Sequence, residues 1–398
     1  MEIPALFLAR GHERRLRAGH LWIYSNEVDG ARSPLKSFRP GEQVAVLDHR
    51  GKWLAWAYVN PGSLLCARVV SRLREHPLDR SLLVHRLKVA LGLRQRRYEK
   101  PFYRLLFAES DGVPGLVVDR YGDLLSVQIT TAGMEARREE IVAALEKVLR
   151  PAGILLRNDA PVRELEGLER YVEVAAGSVP EEVELEENGC RFVTSLHTGQ
   201  KTGWFYDQAA NRARLLPWVE GKRVLDLFSY AGAWGVSAVA GGAAEAFCVD
   251  QSAAALEQVA RNAALNGVPE RVASLRSDAF DAVRELRQAG ERFDIVLVDP
   301  PAFIKRKKDR KEGTLAYRRI NEAALSLLTR DGLLVSSSCS FHMEEARLLE
   351  TVQKAARHRD RSLQLLERGQ QGPDHPVHPA IPETAYLKTL FFRVLPSF

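Results

Sequence analysis

Two strings near the C-terminus hold the residue types best suited to covalent chemistry, Asp299-Pro300-Pro301-Ala302-Phe303 and Ser338-Cys339-Ser340. Each closes an apolar run that reads as a buried strand, Phe293 to Val298 and Leu333 to Val335. In open α/β sheets the loops leaving the carboxyl ends of the strands line the ligand crevice, which puts both strings on one edge. A thiol facing a carboxyl there suits covalent work on a base, with the thiolate as nucleophile. The plainer reading of Cys339 is a small apolar residue at a strand end. Cys66, Cys190 and Cys248 read as core thiols. The four cysteines show no CxxC spacing, which argues against zinc and against a disulfide framework.

The elements that would position these strings lie in a third segment, 190–398, where strand and helix alternate. Strands are expected at Arg223 to Phe228, Ala246 to Val249, Val272 to Leu275, Phe293 to Val298 and Leu333 to Ser337, with a helical stretch after each. That alternation predicts an α/β fold with a doubly wound parallel sheet, and Leu387 to Leu395 can add an antiparallel edge. An acid ends each of four successive strands: Asp226, Asp250, Asp278 and Asp299. Taken singly, each reads first as a helix N-cap. Taken together they describe a ligand site. After the first strand, Asp226-Leu227-Phe228-Ser229-Tyr230-Ala231-Gly232-Ala233-Trp234-Gly235 has glycines that let a ligand approach the backbone. It is not GxGxxG, and its acid would repel a pyrophosphate but suit a cation. Asp250 can accept from ribose hydroxyls and Asp278 from an adenine amino group.

Two segments precede it. Residues 1–72 carry short strand-like runs (Leu21 to Tyr24, Gln43 to Leu47, Trp53 to Val59, Leu64 to Val70) broken by Pro40-Gly41, Gly51 and Asn60-Pro61-Gly62, which predicts a small all-β unit. Ahead of its first strand, Arg10, Arg14, Arg15, Arg17 and His20 are interleaved with Trp22 and Tyr24, a mixture suited to phosphate neutralisation and base stacking. Residues 73–185 predict an α+β unit: a helix from Pro77 to Arg96, strands at Leu105 to Phe107, Gly115 to Val118, Leu124 to Ile129 and Ile154 to Leu156, and a helix from Glu135 to Leu149. Glu181 to Glu187 reads as an acidic linker or strand face. A length of 398 residues fits two or three domains, and the +6 net charge is compatible with a nucleic-acid partner. No run of about 18 apolar residues and no signal-type N-terminus is present, so the chain is expected in the cytoplasm and off the membrane.

The four acids make the third segment resemble the class I methyltransferases, which bind S-adenosylmethionine (SAM) and release S-adenosylhomocysteine. A closer likeness lies in Thr198-Gly199-Gln200-Lys201-Thr202-Gly203-Trp204-Phe205-Tyr206-Asp207-Gln208, Asn211-Arg212, the Asp299-Pro300-Pro301 and Ser338-Cys339-Ser340 strings, and Asp374-His375-Pro376-Val377-His378-Pro379. These resemble bacterial 23S ribosomal RNA cytosine-C5 methyltransferases of the RlmI type. Arg17-Ala18-Gly19-His20-Leu21-Trp22 and Glu109 to Gly115 resemble the start of that family's PUA domain and its central domain, so the likeness spans nearly the whole chain.

The resemblance implies a SAM site at Phe205, Asp207, Asp226, Phe228, Gly232, Asp250, Asp278 and Asp299, and RNA contacts at Arg14, Arg17 and His20. It implies that the Cys339 thiolate adds to carbon 6 of cytosine and that Asp299 orients the base. Many such enzymes carry a second cysteine where this chain has Ala302. That leaves the base for the final proton unassigned, a water held by Asp299 or His342 being one candidate. Lys305, Arg306, Lys307 and Lys308, in a run with six cations in seven residues, read as a mobile basic loop at the site's mouth. His375 and His378 read as a rigid substrate-side loop rather than metal ligands. The expected partner is 23S ribosomal RNA or a large-subunit precursor, and a homodimer is left open. Two other readings compete: an RNA N-methyltransferase, which needs no thiol, and an RNA-binding factor with an inert methyltransferase fold.

Overall fold

The structure, a computed structural model, describes residues 3–200 and 202–397; Lys201 of the Thr198 to Gln208 string lies outside the described residues. The chain divides into two compact units, one of Met1–Val183, Ser195–Tyr206 and Pro373–Thr384, the other of Glu184–Thr194, Asp207–Gly372 and Ala385–Phe398. Two stretches of the third segment thus fold with the N-terminal half.

The first unit begins with β1 (Ala5–Phe7), α1 (Glu13–Arg17), β2 (Trp22–Ile23), β3 (Glu42–Leu47), β4 (Trp53–Val59) and β5 (Ala67–Ser71), in the sheet order β1-β3-β4-β5-β2. β5 starts later than the apolar run because Leu64 sits on an exposed turn. β4 is buried on both faces, which explains its unbroken apolar pattern. Ala55, Ala57 and Val59 face the core of this sheet, while Trp56 and Tyr58 enter the core of the next. Full burial of each aromatic contributes roughly 1.5–3 kcal/mol. The Tyr58 hydroxyl donates to the Pro114 carbonyl at 2.8 Å.

That second core continues with α2 (Arg80–Arg97), β6 (Phe102–Phe107), β7 (Leu116–Tyr121), β8 (Leu124–Ile129), α3 (Ala132–Glu135), α4 (Arg138–Leu149), β9 (Gly153–Asn158) and β10 (Tyr171–Gly177), ordered β10-β9-β8-β7-β6. Gly133 opens the α3 region against Tyr58, where a Cβ would stand 2.1 Å from the ring. The Asp79 carboxylate caps α2 by accepting from Leu82 N–H at 2.8 Å. Arg94, which opens the basic run Arg94-Gln95-Arg96-Arg97, is fully buried and forks onto Asp111 at 2.7 and 2.8 Å.

The second unit opens with the hairpin β11 (Val183–Glu187) and β12 (Cys190–Thr194). Glu187 turns inward, its charge met by the buried Arg212, so the acidic stretch is a strand face rather than a linker. There follow α5 (Ala209–Leu215), β13 (Arg223–Leu227), α6 (Ala233–Ala240), β14 (Glu245–Asp250), α7 (Ala253–Leu265), β15 (Val272–Arg276), α8 (Ala279–Gln288), β16 (Phe293–Val298), α9 (Arg310–Leu325), β17 (Leu328–Ser338), α10 (Glu345–Arg357), β18 (Arg361–Gln370) and β19 (Lys388–Pro396). The sheet order is β15-β14-β13-β16-β17-β19-β18. The strands from β15 to β17 are parallel, and β19 runs antiparallel to both β17 and β18. β19 therefore lies one strand in from the edge. The edge is β18, whose polar sequence and bulge at Leu365/Glu367 hid it from an apolar pattern. Helices α8, α9 and α10 bury Val283, Leu286, Ile320, Leu348 and Val352 against this sheet. Strand order reverses between β13 and β16, which opens the crevice at their carboxyl ends. No helix among the described residues is long and apolar enough to cross a membrane.

Candidate active site

The carboxyl ends of the five parallel strands carry Asp226, Asp250, Asp278, Asp299 and Cys339, all within the second unit. After β13 the chain turns sharply: Phe228 (φ 66°), Tyr230 (φ 47°) and Gly232 (φ 76°) are left-handed. Two non-glycine residues in this region cost about 1–3 kcal/mol each, strain that typically collects at ligand sites. The turn folds back Asp226, which is 0% exposed; its Oδ2 accepts from Gly235 N–H at 3.0 Å, and its Oδ1 is buried without a hydrogen-bond partner. Burial, reinforced by the charges of Asp299 and Asp250, pushes Asp226 up to about 8. Gly235 is obligatory here, since a Cβ would stand 2.6 Å from Cys248 Sγ.

The next two acids hold backbone. Asp250 accepts from Tyr230 N–H and Ser252 N–H, each at 2.9 Å. Asp278 is the N-cap of α8, accepting from Phe280 N–H at 2.9 Å, and its other oxygen accepts from Gln251 Nε2 at 2.9 Å. The capping reading is correct for Asp278, and its free lone pairs are what a ligand would meet.

After β16, both oxygens of Asp299 accept from Gln208 Nε2 at 3.0 Å, and Oδ2 also accepts from Trp234 Nε1 at 3.1 Å. Burial pushes Asp299 up to about 6 against these hydrogen bonds, with the Asp207 charge adding to the rise. Gln208 is oriented by Asn211, which donates to its Oε1 at 2.7 Å. Asp207 accepts from the Tyr386 hydroxyl at 2.6 Å.

Cys339 follows β17 and is half-buried. Val298 pairs with Ser336, so the acid follows one position and the thiol three positions beyond the same register step. The turn around the thiol is clamped: Ser338 Oγ donates to the Tyr317 hydroxyl (2.9 Å), which pairs with Ser340 Oγ (3.1 Å), and Ser340 Oγ accepts from Ile304 N–H (3.2 Å). The thiol turn is thereby tied to the loop that carries Asp299. Phe303 packs on Tyr317, ring centroids 4.8 Å apart, and lies 6.5 Å from Phe228.

Asp299 and Cys339 stand out in the sequence, whereas nothing in it shows that Gln208 and Trp234 donate to Asp299, that Tyr317 bridges Ser338 and Ser340, or that Lys388 donates to the Ser340 carbonyl. Gln208 and Trp234 stand inside strings that the sequence does single out. Tyr317 and Lys388 carry no signal, because nothing local distinguishes them from a helix aromatic and a strand-end lysine.

The basic run is not one loop. Lys305, Arg306, Lys307 and Lys308 are exposed, a short turn spans Lys307–Asp309, and Arg310 and Lys311 already belong to α9. Phe205, half-buried, and the N-terminal cations belong to the first unit. There Arg14 is exposed, Arg17 pairs with Asp48 at 2.8 Å, and His20 Nδ1 accepts from Trp22 N–H at 3.0 Å. Burial holds His20 below its ordinary range. His375 is buried against Asp374, Nδ1 to Oδ1 at 3.0 Å, and both lie in the first unit with Arg94 and Arg104.

A sheet of this order, with acids closing its strands, defines a class I SAM-dependent methyltransferase. The family model for S-adenosylmethionine-dependent methyltransferases matches residues 168–393, and that for a PUA-like domain matches residues 6–72. The chain is 37% identical over 395 residues to ribosomal RNA large subunit methyltransferase I of Erwinia tasmaniensis (98% of this chain, 99% of that protein). It is 37% identical over 399 residues to the Vibrio cholerae protein of the same name (98% and 100%). Among solved structures, a Streptococcus mutans protein assigned as a SAM-dependent methyltransferase superposes with TM-score 0.81 at 22% identity, covering 98% of this chain and all of that one. The chain belongs to the family of ribosomal RNA large subunit methyltransferase I.

The cofactor of this class is SAM, and the residues fit it. A cationic methyl donor suits a cluster of acids, and the buried Oδ1 of Asp226 is a polar atom with no hydrogen-bond partner, open to a ligand. Asp226, Asp250 and Asp278, with the backbone of the Phe228–Gly232 turn, are the groups that would hold it; bound there, it supplies an electrophilic methyl group.

Proposed function

We propose that this protein forms 5-methylcytosine in 23S ribosomal RNA, or in a large-subunit precursor, through a covalent adduct with Cys339. Carbon 5 of cytosine is a weak nucleophile until a thiolate adds to carbon 6, which moves the ring electrons onto carbon 5. Carbon 5 then takes the methyl group and gives up its proton, and the electron pair of that C–H bond reforms the ring double bond as the sulfur–carbon bond breaks. The observation that carries this reading is the clamped Ser338-Cys339-Ser340 turn, tied to the Asp299 loop.

Asp299 serves the base in this reading. With its proton held to about 6, it exists in both forms near neutral pH, so it can accept from the exocyclic amine and favour protonation at N3 as charge builds on the ring. Ala302 leaves no second thiol beside it, and a water held by Asp299 or His342 takes the carbon 5 proton. Residues 1–72 act as the RNA-binding module, 73–185 as the central domain and 190–398 as the methyltransferase domain. The exposed Arg14 and Lys305 to Lys308 support RNA contacts there. Arg17 is about half exposed and pairs with the buried Asp48, so its outer face is open to a phosphate.

The test is methyl transfer by Cys339→Ala, with products mapped on ribosomal RNA by mass spectrometry. Loss of 5-methylcytosine with SAM binding intact is expected. Continued transfer would remove the covalent route and favour a nitrogen target.

A further inference from the structure

Lys388 is a buried ammonium that no carboxylate pairs with among the described residues. It lies in β19 directly opposite Ser338 of β17, is 9% exposed, and donates to two carbonyls, Ser340 O at 2.7 Å and Tyr386 O at 2.8 Å. An ammonium has three N–H donors, so one remains. A buried charge normally has a counter-ion, because desolvation without one costs several kcal/mol. The two carboxylates nearest in charge are already engaged: Glu344 is paired with Arg310 and Glu345 with Arg368. Tyr317 of α9, which faces the same turn, is kept a neutral phenol by burial. What remains is the residue between Ser338 and Ser340.

We propose that Lys388 is the counter-ion that holds Cys339 as a thiolate, a positioning residue that acts on the nucleophile and does not itself reach the base. A free thiol is mostly protonated at neutral pH, and an adjacent fixed cation shifts that balance while its proton goes to solvent. Burial pushes the Lys388 amine down to about 8, and the Cys339 charge is the first influence pushing it back, followed by Glu344 and Glu345. The opposite effect on the thiol follows by reciprocity. Because Lys388 also holds the carbonyl of Ser340, one side chain fixes both the charge and the position of the thiol turn.

The inference rests on the covalent reading, and its test is independent of methyl transfer. Alkylation of Cys339 by iodoacetamide is followed against pH by peptide mass spectrometry, in the full chain without RNA or SAM. Lys388→Met, similar in volume and uncharged, is expected to raise the midpoint by about one pH unit or more, a roughly tenfold slower reaction at pH 7. Lys388→Arg is expected to return it toward wild type. An unmoved midpoint in a Lys388→Met protein that still binds SAM overturns the proposal. If that variant does not fold, Cys339→Ala supplies the reciprocal measurement. Loss of the thiolate should lower the pH midpoint for acetylation of Lys388, and an unchanged midpoint overturns the proposal equally. Methyl transfer by Cys339→Ala would instead remove the covalent reading and leave the ion pair standing.

Discussion

The Trp234 indole N–H donates to Asp299 Oδ2 at 3.1 Å, joining the second residue of α6 to the acid that closes β16. Through this bond the turn that would hold SAM and the acid that would meet the base share one hydrogen-bond network. Trp234→Phe keeps most of the ring and removes the donor. Because that bond favours ionised Asp299, its loss should raise the acid further above about 6. We expect the limb of the kcat/KM profile near that pH to move up by roughly half to one unit. A limb that stays in place would show that Asp299 does not titrate in the reaction.

Gly235 sits where a Cβ would meet Cys248 Sγ at 2.6 Å. Gly235→Ala should therefore destabilise by about 1–3 kcal/mol through overpacking and move the N–H that Asp226 accepts. Adding Cys248→Ala should recover most of the loss in thermal denaturation and in SAM affinity. Failure of the double variant to recover would mean that crowding against the sulfur is the wrong explanation.

The raised proton affinity of Asp226 sets a pH dependence. Unfolded, an aspartate titrates near 3.8; folded, this one titrates near 8. Between those values the folded state holds a proton that the unfolded state has released, so stability falls as pH rises through that window. Asp299 adds to the slope only up to about 6. Asp226→Asn keeps an acceptor for Gly235 N–H and removes the charge. It should flatten the decline of Tm from pH 5 to pH 8 in cofactor-free protein, stabilise by roughly 1–3 kcal/mol at pH 8, and weaken SAM binding at least tenfold. A decline as steep as wild type would place the titration elsewhere.

Lys307 and Lys308 are exposed beside the Asp299 loop. Lys307→Glu with Lys308→Glu should leave SAM binding unchanged and weaken RNA binding. The slope of log affinity against log salt should fall by about 0.7–0.9 for each phosphate that is no longer neutralised. An unchanged slope would assign these lysines to solvent alone.

The division between sequence and tertiary structure follows the range of the interactions. Periodicity and local composition determined the central parallel strands, the acids at or near their carboxyl ends and the thiol after β17, because a strand buried on both faces must be apolar and its loop must start where that run stops. The same logic failed for β18, which lies at a sheet edge with one side in solvent, and for Arg94, whose basic neighbours concealed a buried ion pair. It also placed Asp374 and His375 with the third segment, although they fold with the first unit. Only the tertiary structure separated the four acids by role. Asp278 caps a helix, Asp250 holds two backbone N–H groups, and Asp226 and Asp299 lose enough water to titrate well above an ordinary aspartate. Only the tertiary structure brought Lys388 to the turn of Cys339, 49 positions earlier in the chain, since strand register and desolvation are properties of neighbours in space.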